Sequence, residues 1–358
     1  MTIVFFNPYA DPGVKGSTRR IEFLQHLLNL LGVPSQAVLA QEYAMIPKSL
    51  AERAALRFGL RRLAYFLQIW RLCQSPDTTV ISEVIFSPTW HPNMVLTVHD
   101  LKVYDERATR GGRFRHWAYG LFTRLARRIV VVSESVRDDM QRLCGVPPER
   151  IHVVPNGISK DRIALAAYSM RQTARYDFVY VSTFAEHKRH ALLLRAAPAG
   201  SRLCLIGRGG GALDETKTEA LRRAEQIKVD IFENVDTDAQ LFQLLGAARC
   251  GVFPSVFEGF GIPLLEYGAA GLYVIASDIP PFRELSVYVD RFVPPDDEQA
   301  LHKAMSEFMH RPDGVSALAV DRVASSSYTE EAIAIRLAKL LSIPISPVNK
   351  PMYAGPIK

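Results

Sequence analysis

Cysteine is scarce: Cys73, Cys144, Cys204 and Cys250 are the four in 358 residues. None forms a Cys-x-x-Cys pair or has histidine at ligand spacing, which excludes a disulfide scaffold and a zinc module and leaves four expected reduced core thiols of a cytosolic chain. No run approaches the ~20 apolar residues of a membrane span. The N-terminal apolar run, Ile3 to Phe6, has no basic lead and no small-residue cleavage site, so it reads as a first strand rather than a signal peptide. Helix-turn-helix, zinc and aromatic-basic RNA signatures are missing too, so nucleic acid is not an expected partner. No His, Cys or carboxylate cluster suggests a metal.

What is present is an ordinary globular composition, 48% hydrophobic and 22% charged, over a length that exceeds what a single core supports. In the N-terminal half, β-rich runs at 3–6, 36–40, 78–82, 94–98 and 129–132 alternate with helical stretches at 17–31, 49–73, 112–127 and 134–143. The second half repeats the alternation, with strands at 177–182, 202–206, 228–232, 250–253 and 273–276. Such alternation predicts an α/β protein with two Rossmann-like doubly wound domains. Their ligand ends are expected to face each other across a cleft. The expected boundaries are 1–165 for the first domain, 166–325 for the second, 326–342 for a last helix and 343–358 for an extended or disordered tail rich in proline.

Charge is unevenly spread. Residues 1–170 hold 22 Lys+Arg against 14 Asp+Glu, whereas the remainder holds 21 against 23. Within the basic half, 49–73 places Arg53, Arg57 and Arg61 every fourth position and Leu56, Leu60, Leu63, Leu67 and Trp70 every third or fourth. That is one basic amphipathic helix, suited to an anionic membrane surface or to a surface position with its apolar stripe in the core. Phe58, Tyr65 and Phe66 are expected to widen its exposed apolar edge.

The most informative string is FEGFGIPLLEYGAAG at 257–271, with Glu258 and Glu266 eight positions apart. Pro254 cannot donate to a central ladder, so a strand ends before it and Glu258 lies on a loop. Pro263 suits a helix start and Gly271 a helix stop, which puts Glu266 in the first turn. Gly259 and Gly261 clear side chains from the terminus, whose N–H groups and dipole attract phosphate.

This string resembles the Glu-x7-Glu signature of retaining GT-B glycosyltransferases of family 4, and YVIASDIPPFREL after it resembles that family's next strand and serine-containing loop. The resemblance is strongest over 177–285, fair around 94–100 and 129–157, and slight elsewhere. It implies that Glu258 holds the transferred sugar and Glu266 the ribose hydroxyls, with Phe260, Gly261 and Ile262 lining the donor. After strand 177–182, the run His187-Lys188-Arg189 enters a helix start where cations are disfavoured, so an anion is expected there. In the family a basic pair at this point grips the donor diphosphate. His187 takes the usual Arg place and Lys188 keeps the Lys. VLTVHDL resembles the family's His motif, which sets His99 against the donor sugar. The glycine turn from Gly207 and the loop around Val235 correspond to segments near the nucleotide, although Asn234 stands where Gly is commoner. Gly13 and Gly16 lie in a loop that is often glycine-rich in the family. It is an ordinary βα loop or a phosphate and acceptor loop.

The resemblance therefore implies a metal-independent, cofactor-free retaining transfer of a hexose of mannose, rhamnose or glucose type. The donor is a nucleotide diphosphate sugar and the acceptor a lipid-linked or polysaccharide precursor, at the cytoplasmic face of a membrane. Two alternatives stay open. Gly207 to Gly211 with Asp230 about twenty residues on suggests an NAD-dependent oxidoreductase, against the spacing of the last glycine. A non-catalytic nucleotide-sugar or membrane-binding scaffold is the other.

Overall fold

The computed structural model describes residues 1–8, 16–39, 49–57, 60–101, 110–169, 173–311 and 327–344. It divides into two compact units, Met1–Asn156 with the segment from Glu330 onward, and Gly157–Thr329.

The first unit runs β1 (Thr2–Phe6), α1 (Gly16–Leu30), β2 (Ser35–Val38), α2 (Leu50–Arg57), α3 (Arg61–Cys73), β3 (Thr78–Ser82), β4 (Met94–Val98), α4 (Arg110–Leu125), β5 (Ile129–Val131), α5 (Glu134–Cys144) and β6 (Ile151–Val153). Its strands form one parallel sheet in the order β2-β1-β3-β4-β5-β6. The second unit runs α6 (Lys160–Ser169), β7 (Tyr176–Val181), α7 (His190–Ala196), β8 (Arg202–Ile206), α8 (Leu213–Arg222), β9 (Lys228–Phe232), α9 (Asp238–Gly246), β10 (Ala248–Phe253), α10 (Ile262–Ala269), β11 (Tyr273–Ser277), α11 (Pro280–Glu284), β12 (Arg291–Val293) and α12 (Glu298–Met309). Its sheet is also parallel, in the order β12-β11-β10-β7-β8-β9. Parallel strands covered on both faces must be apolar nearly throughout, and β4 (MVLTV) is buried at every position. The last described helix, α13 (Glu330–Leu341), packs in the first unit, where Ile333, Leu337 and Leu340 join Ile21, Leu24 and Leu28 of α1.

Both sheets reverse their order beside their first strand, between β1 and β3 and between β7 and β10. Loops leaving the two strands at such a point diverge and leave a crevice at the carboxyl ends, where ligands of open α/β sheets bind.

Several expectations are corrected. The stretch 49–73 is two helices, and Leu60 before α3 has φ −86° and ψ 57°. Its core face is Ala64, Tyr65, Gln68, Ile69 and Cys73, whereas the predicted stripe points outward, with Leu60 53%, Leu63 46% and Trp70 38% exposed. Tyr65 is buried, edge-on to Phe6, and widens no exposed patch. Phe58 lies outside the described residues. Pro263 is the second residue of α10, so Glu266 falls in its second turn; Gly271 at φ +67° is the expected left-handed stop. All four cysteines are free and buried, and burial pushes the Cys73 thiol up to about 12. Among the described residues no helix is long and apolar enough to cross a membrane.

Candidate active site

At the switch point of the second sheet, the loop after β7 carries Lys188 and the loop after β10 carries Glu258. Their side chains meet, Lys188 Nζ to Glu258 Oε1 2.5 Å, at 13% and 11% exposure. The backbone beneath is held in three places. The Tyr180 hydroxyl donates to the Lys188 carbonyl at 2.9 Å and lies 3.1 Å from Ser255 Oγ, and Val256 N–H donates to the His187 carbonyl at 3.0 Å. Burial, with Glu258 nearby, raises the Tyr180 phenol far above its ordinary range, so it stays a neutral donor. His187 packs edge-on to Phe257 with centroids 6.5 Å apart.

Gly261 caps α10 in the left-handed region at φ +113°, with no side chain capping the helix. A Cβ there would come within 2.7 Å of the Phe282 ring, so only glycine fits. Ile262 begins the helix, and Phe260, 4% exposed, lies edge-on to Tyr328 at 5.6 Å. Glu266 is 1% exposed and its Oε1 accepts from Arg162 Nη2 at 2.7 Å. Val235 is buried in the loop before α9.

The glycine turn after β8 has a packing cause. A Cβ on Gly207 would lie 1.8 Å from the Ser182 carbonyl oxygen, and one on Gly210 would lie 2.0 Å from that of Phe184. These glycines let the turn close on the loop leading to Lys188, where Phe184 N–H donates to the Gly209 carbonyl at 2.9 Å. Asp230, the acid a dinucleotide site would need, accepts from the Tyr176 hydroxyl at 2.7 Å.

In the first unit, the switch point between β1 and β3 gathers three polar side chains. Glu83 accepts from Asn7 Nδ2, and its Oε1 stands 2.9 Å from His99 Nε2. Buried Arg20 donates to Asn156 Oδ1 and the Val154 carbonyl, both at 2.8 Å. Burial lowers its guanidinium to about 10 against the pull of Glu83. Gly16 is the first residue of α1, and Gly13 lies outside the described residues.

The fold thus brings Lys188, Glu258 and the α10 terminus together, and joins His99 to Glu83. Sequence reasoning missed Glu83 and Arg162. Glu83 had a signal, being a polar residue just past an apolar strand as His99 is. Arg162 had none, since it stands 104 positions from its partner.

Residues 34–162 match the family described as Glycosyltransferase Family 4, and residues 167–343 match Glycosyl transferases group 1. The chain belongs to glycosyltransferase family 4. This transferase is 26% identical over 277 residues to the O-antigen chain mannosyltransferase RfbU of Salmonella typhimurium, covering 75% of this chain and 70% of that protein. It is 25% identical over 250 residues to the O-antigen chain mannosyltransferase B of Escherichia coli, covering 65% of this chain and 66% of that one. Its fold is similar to that of sucrose-phosphate synthase from Thermosynechococcus elongatus, with a TM-score of 0.73 at 19% identity over 95% of this chain and 98% of that one. Anabaena HepE, solved in complex with UDP-glucose, superposes with a TM-score of 0.67 at 15% identity over 96% and 99% of the two chains. The transferase has the GT-B fold of two doubly wound units. The oxidoreductase reading of Gly207 to Gly211 is thereby replaced, since that turn lies within the glycosyl transferases match and Gly207 and Gly210 face the chain's own backbone.

Proposed function

We propose that this transferase moves a hexose, with retention and without a metal ion, from a nucleotide diphosphate sugar to a glycan or lipid-linked precursor. The observation that carries the proposal is the Lys188–Glu258 pair beside the uncapped start of α10. A cation and a free helix terminus beside the same loop suit a diphosphate, whose charge grows as the glycosidic bond breaks. In this reading the donor takes Lys188 from Glu258, with His187 as a second donor to phosphate. Glu258, released, accepts hydroxyls of the sugar as its ring turns cationic. Glu266 takes the ribose, Phe260, Gly261 and Ile262 line the donor, and Val235 and Gly207 support the base and nucleotide. His99, ordered by Glu83, is assigned to the donor sugar, and the loop of Gly13 and Gly16 to phosphate or acceptor. Retention rests on the resemblance of 257–271.

The two O-antigen mannosyltransferase relatives favour mannose as the hexose and a lipopolysaccharide precursor as the acceptor. Such acceptors sit at the cytoplasmic face of a membrane. The outward face of α3 fits peripheral attachment there: Trp70 and Trp90, 38% and 41% exposed, lie 6.4 Å apart, and Leu63 is exposed two turns earlier in α3, on the basic half of the chain. Trp with neighbouring cations is an interfacial composition.

A thermal-shift screen of UDP, GDP and dTDP, each with and without chelator, tests the reading. A ligand that binds only the folded state raises the unfolding temperature by mass action. One nucleotide should stabilise the chain equally in both conditions, and an anomeric proton spectrum of the product should show retention. Stabilisation by none of the three would refute the proposal, and binding without turnover would leave the scaffold reading.

A further inference from the structure

A largely buried guanidinium that touches a proposed donor residue is placed as a bridge. Arg162, near the start of α6, is 15% exposed. Its Nη2 donates to Glu266 Oε1 at 2.7 Å, its Nε lies 2.8 Å from Asp238 Oδ2, and its Cζ lies 5.4 Å above the Phe242 ring. Asp238 is the first residue of α9, directly after the loop that holds Val235. The start of that helix is fixed by a capping box between Thr237 and Gln240. One rigid side chain therefore ties together α6, the ribose-assigned Glu266 of α10 and the end of the base-proximal loop.

A purely structural role does not account for this arrangement. α10 is otherwise apolar over Leu264, Leu265 and Tyr267, all buried. Replacing a buried ion pair by well-packed apolar groups is often neutral or stabilising. Two carboxylates, one on α9 and one on α10, meet at the one guanidinium. A carboxylate accepts at about four lone-pair sites, so engagement by Arg162 does not exhaust Glu266. The planar fork of Arg fixes the direction of each carboxylate it holds, which a point charge such as Lys does not.

We infer that Arg162 is a positioning residue for nucleotide recognition: it fixes the Glu266 carboxylate as the acceptor for ribose hydroxyls and couples it, through Asp238, to the loop beside the base. The inference rests on the proposed ribose role of Glu266, and the test separates the two. Calorimetry on the full chain would compare UDP and GDP with their 2′-deoxy and 3′-deoxy counterparts. The wild type should prefer the ribonucleotide over a deoxy form by about tenfold or more, the scale of losing a hydrogen bond to a buried charged group. Glu266→Gln should bring that ratio close to one. Arg162→Met should do the same, and Arg162→Lys, which keeps the charge and is the more conservative fold, should lower the ratio at least severalfold.

A merely structural Arg162 would lower stability, or weaken all six ligands in parallel, and leave the ratio unchanged. An undiminished ratio in folded Arg162→Met, or in Arg162→Lys should the Met variant not fold, with Glu266→Gln having lost it, overturns the role of Arg162 alone. A full ratio in Glu266→Gln, or none in the wild type, overturns the ribose reading and the inference together.

Discussion

Removing both charges of the Lys188–Glu258 pair should cost well under the sum of removing each alone. The side chains are 13% and 11% exposed, so either charge left alone sits largely away from water. Breaking a buried pair by deleting one partner costs about 3–5 kcal/mol, most of it the desolvation of the charge left behind. This pair lies at the mouth of a loop site, so the lower end, about 3 kcal/mol, is expected for Lys188→Met and for Glu258→Gln. The double variant has no orphaned charge, and it should be less destabilised than the sum of the singles by about 2–3 kcal/mol. Urea unfolding of the four proteins, fitted with a common slope, gives the cycle. Additivity within about 0.5 kcal/mol would refute the claim that each charge exists to neutralise the other until substrate arrives. The same variants bear on the mechanism. Glu258→Gln frees Lys188 and should bind nucleoside diphosphate at least as well as the wild type. Lys188→Met should bind it less well and turn over roughly a hundredfold or more slowly, the scale of losing one strong transition-state donor.

The two glutamates should separate in steady-state kinetics, Glu266→Gln mainly raising KM and Glu258→Gln mainly lowering kcat, because contacts that strengthen only in the transition state appear in kcat. The reverse division would exchange their roles. Activity should survive a chelator, and strict dependence on added Mg²⁺ or Mn²⁺ would remove Lys188 and the α10 terminus as the counter-charge. Sedimentation with anionic vesicles should fall for Arg57→Glu with Arg61→Glu, by about 1 kcal/mol per basic residue, and for Trp70→Ser with Trp90→Ser; equal sedimentation with neutral vesicles and indifference to salt would refute docking. Burial, with Lys188 and His187 close by, pushes the His190 imidazole down to about 3. The unfolded chain takes up that proton first, near pH 6.5, so the stability is present above about 6.5 and lost as pH falls toward 3, at up to about 1.4 kcal/mol per pH unit. His190→Phe should flatten this part of the pH profile of unfolding, and an unchanged slope would show that His190 is not its source.

The sequence by itself determined the elements and the class. Strands at Thr78–Ser82, Met94–Val98 and Arg202–Ile206 fall where the apolar runs put them, because a strand covered on both faces has to be apolar nearly throughout. Pro254 ends β10 and Gly271 ends α10 for local backbone reasons that need no neighbours. Local chemistry also marked Lys188, Glu258 and His99, each just past a strand. The short β12 was not legible, since three residues carry too little pattern. The outward face of α3 was not legible either: both of its faces are largely apolar, and only docking against Phe6 decides that Tyr65 turns in and Trp70 out. The partnerships were decided by tertiary structure alone. Strand order brings Lys188 to Glu258 across 70 positions and Arg162 to Glu266 across 104, and the space beside Gly207 is filled by a strand end from another part of the chain. Residue type announces that a charge needs a counter-charge; only the order of strands in the sheet chooses which one it receives.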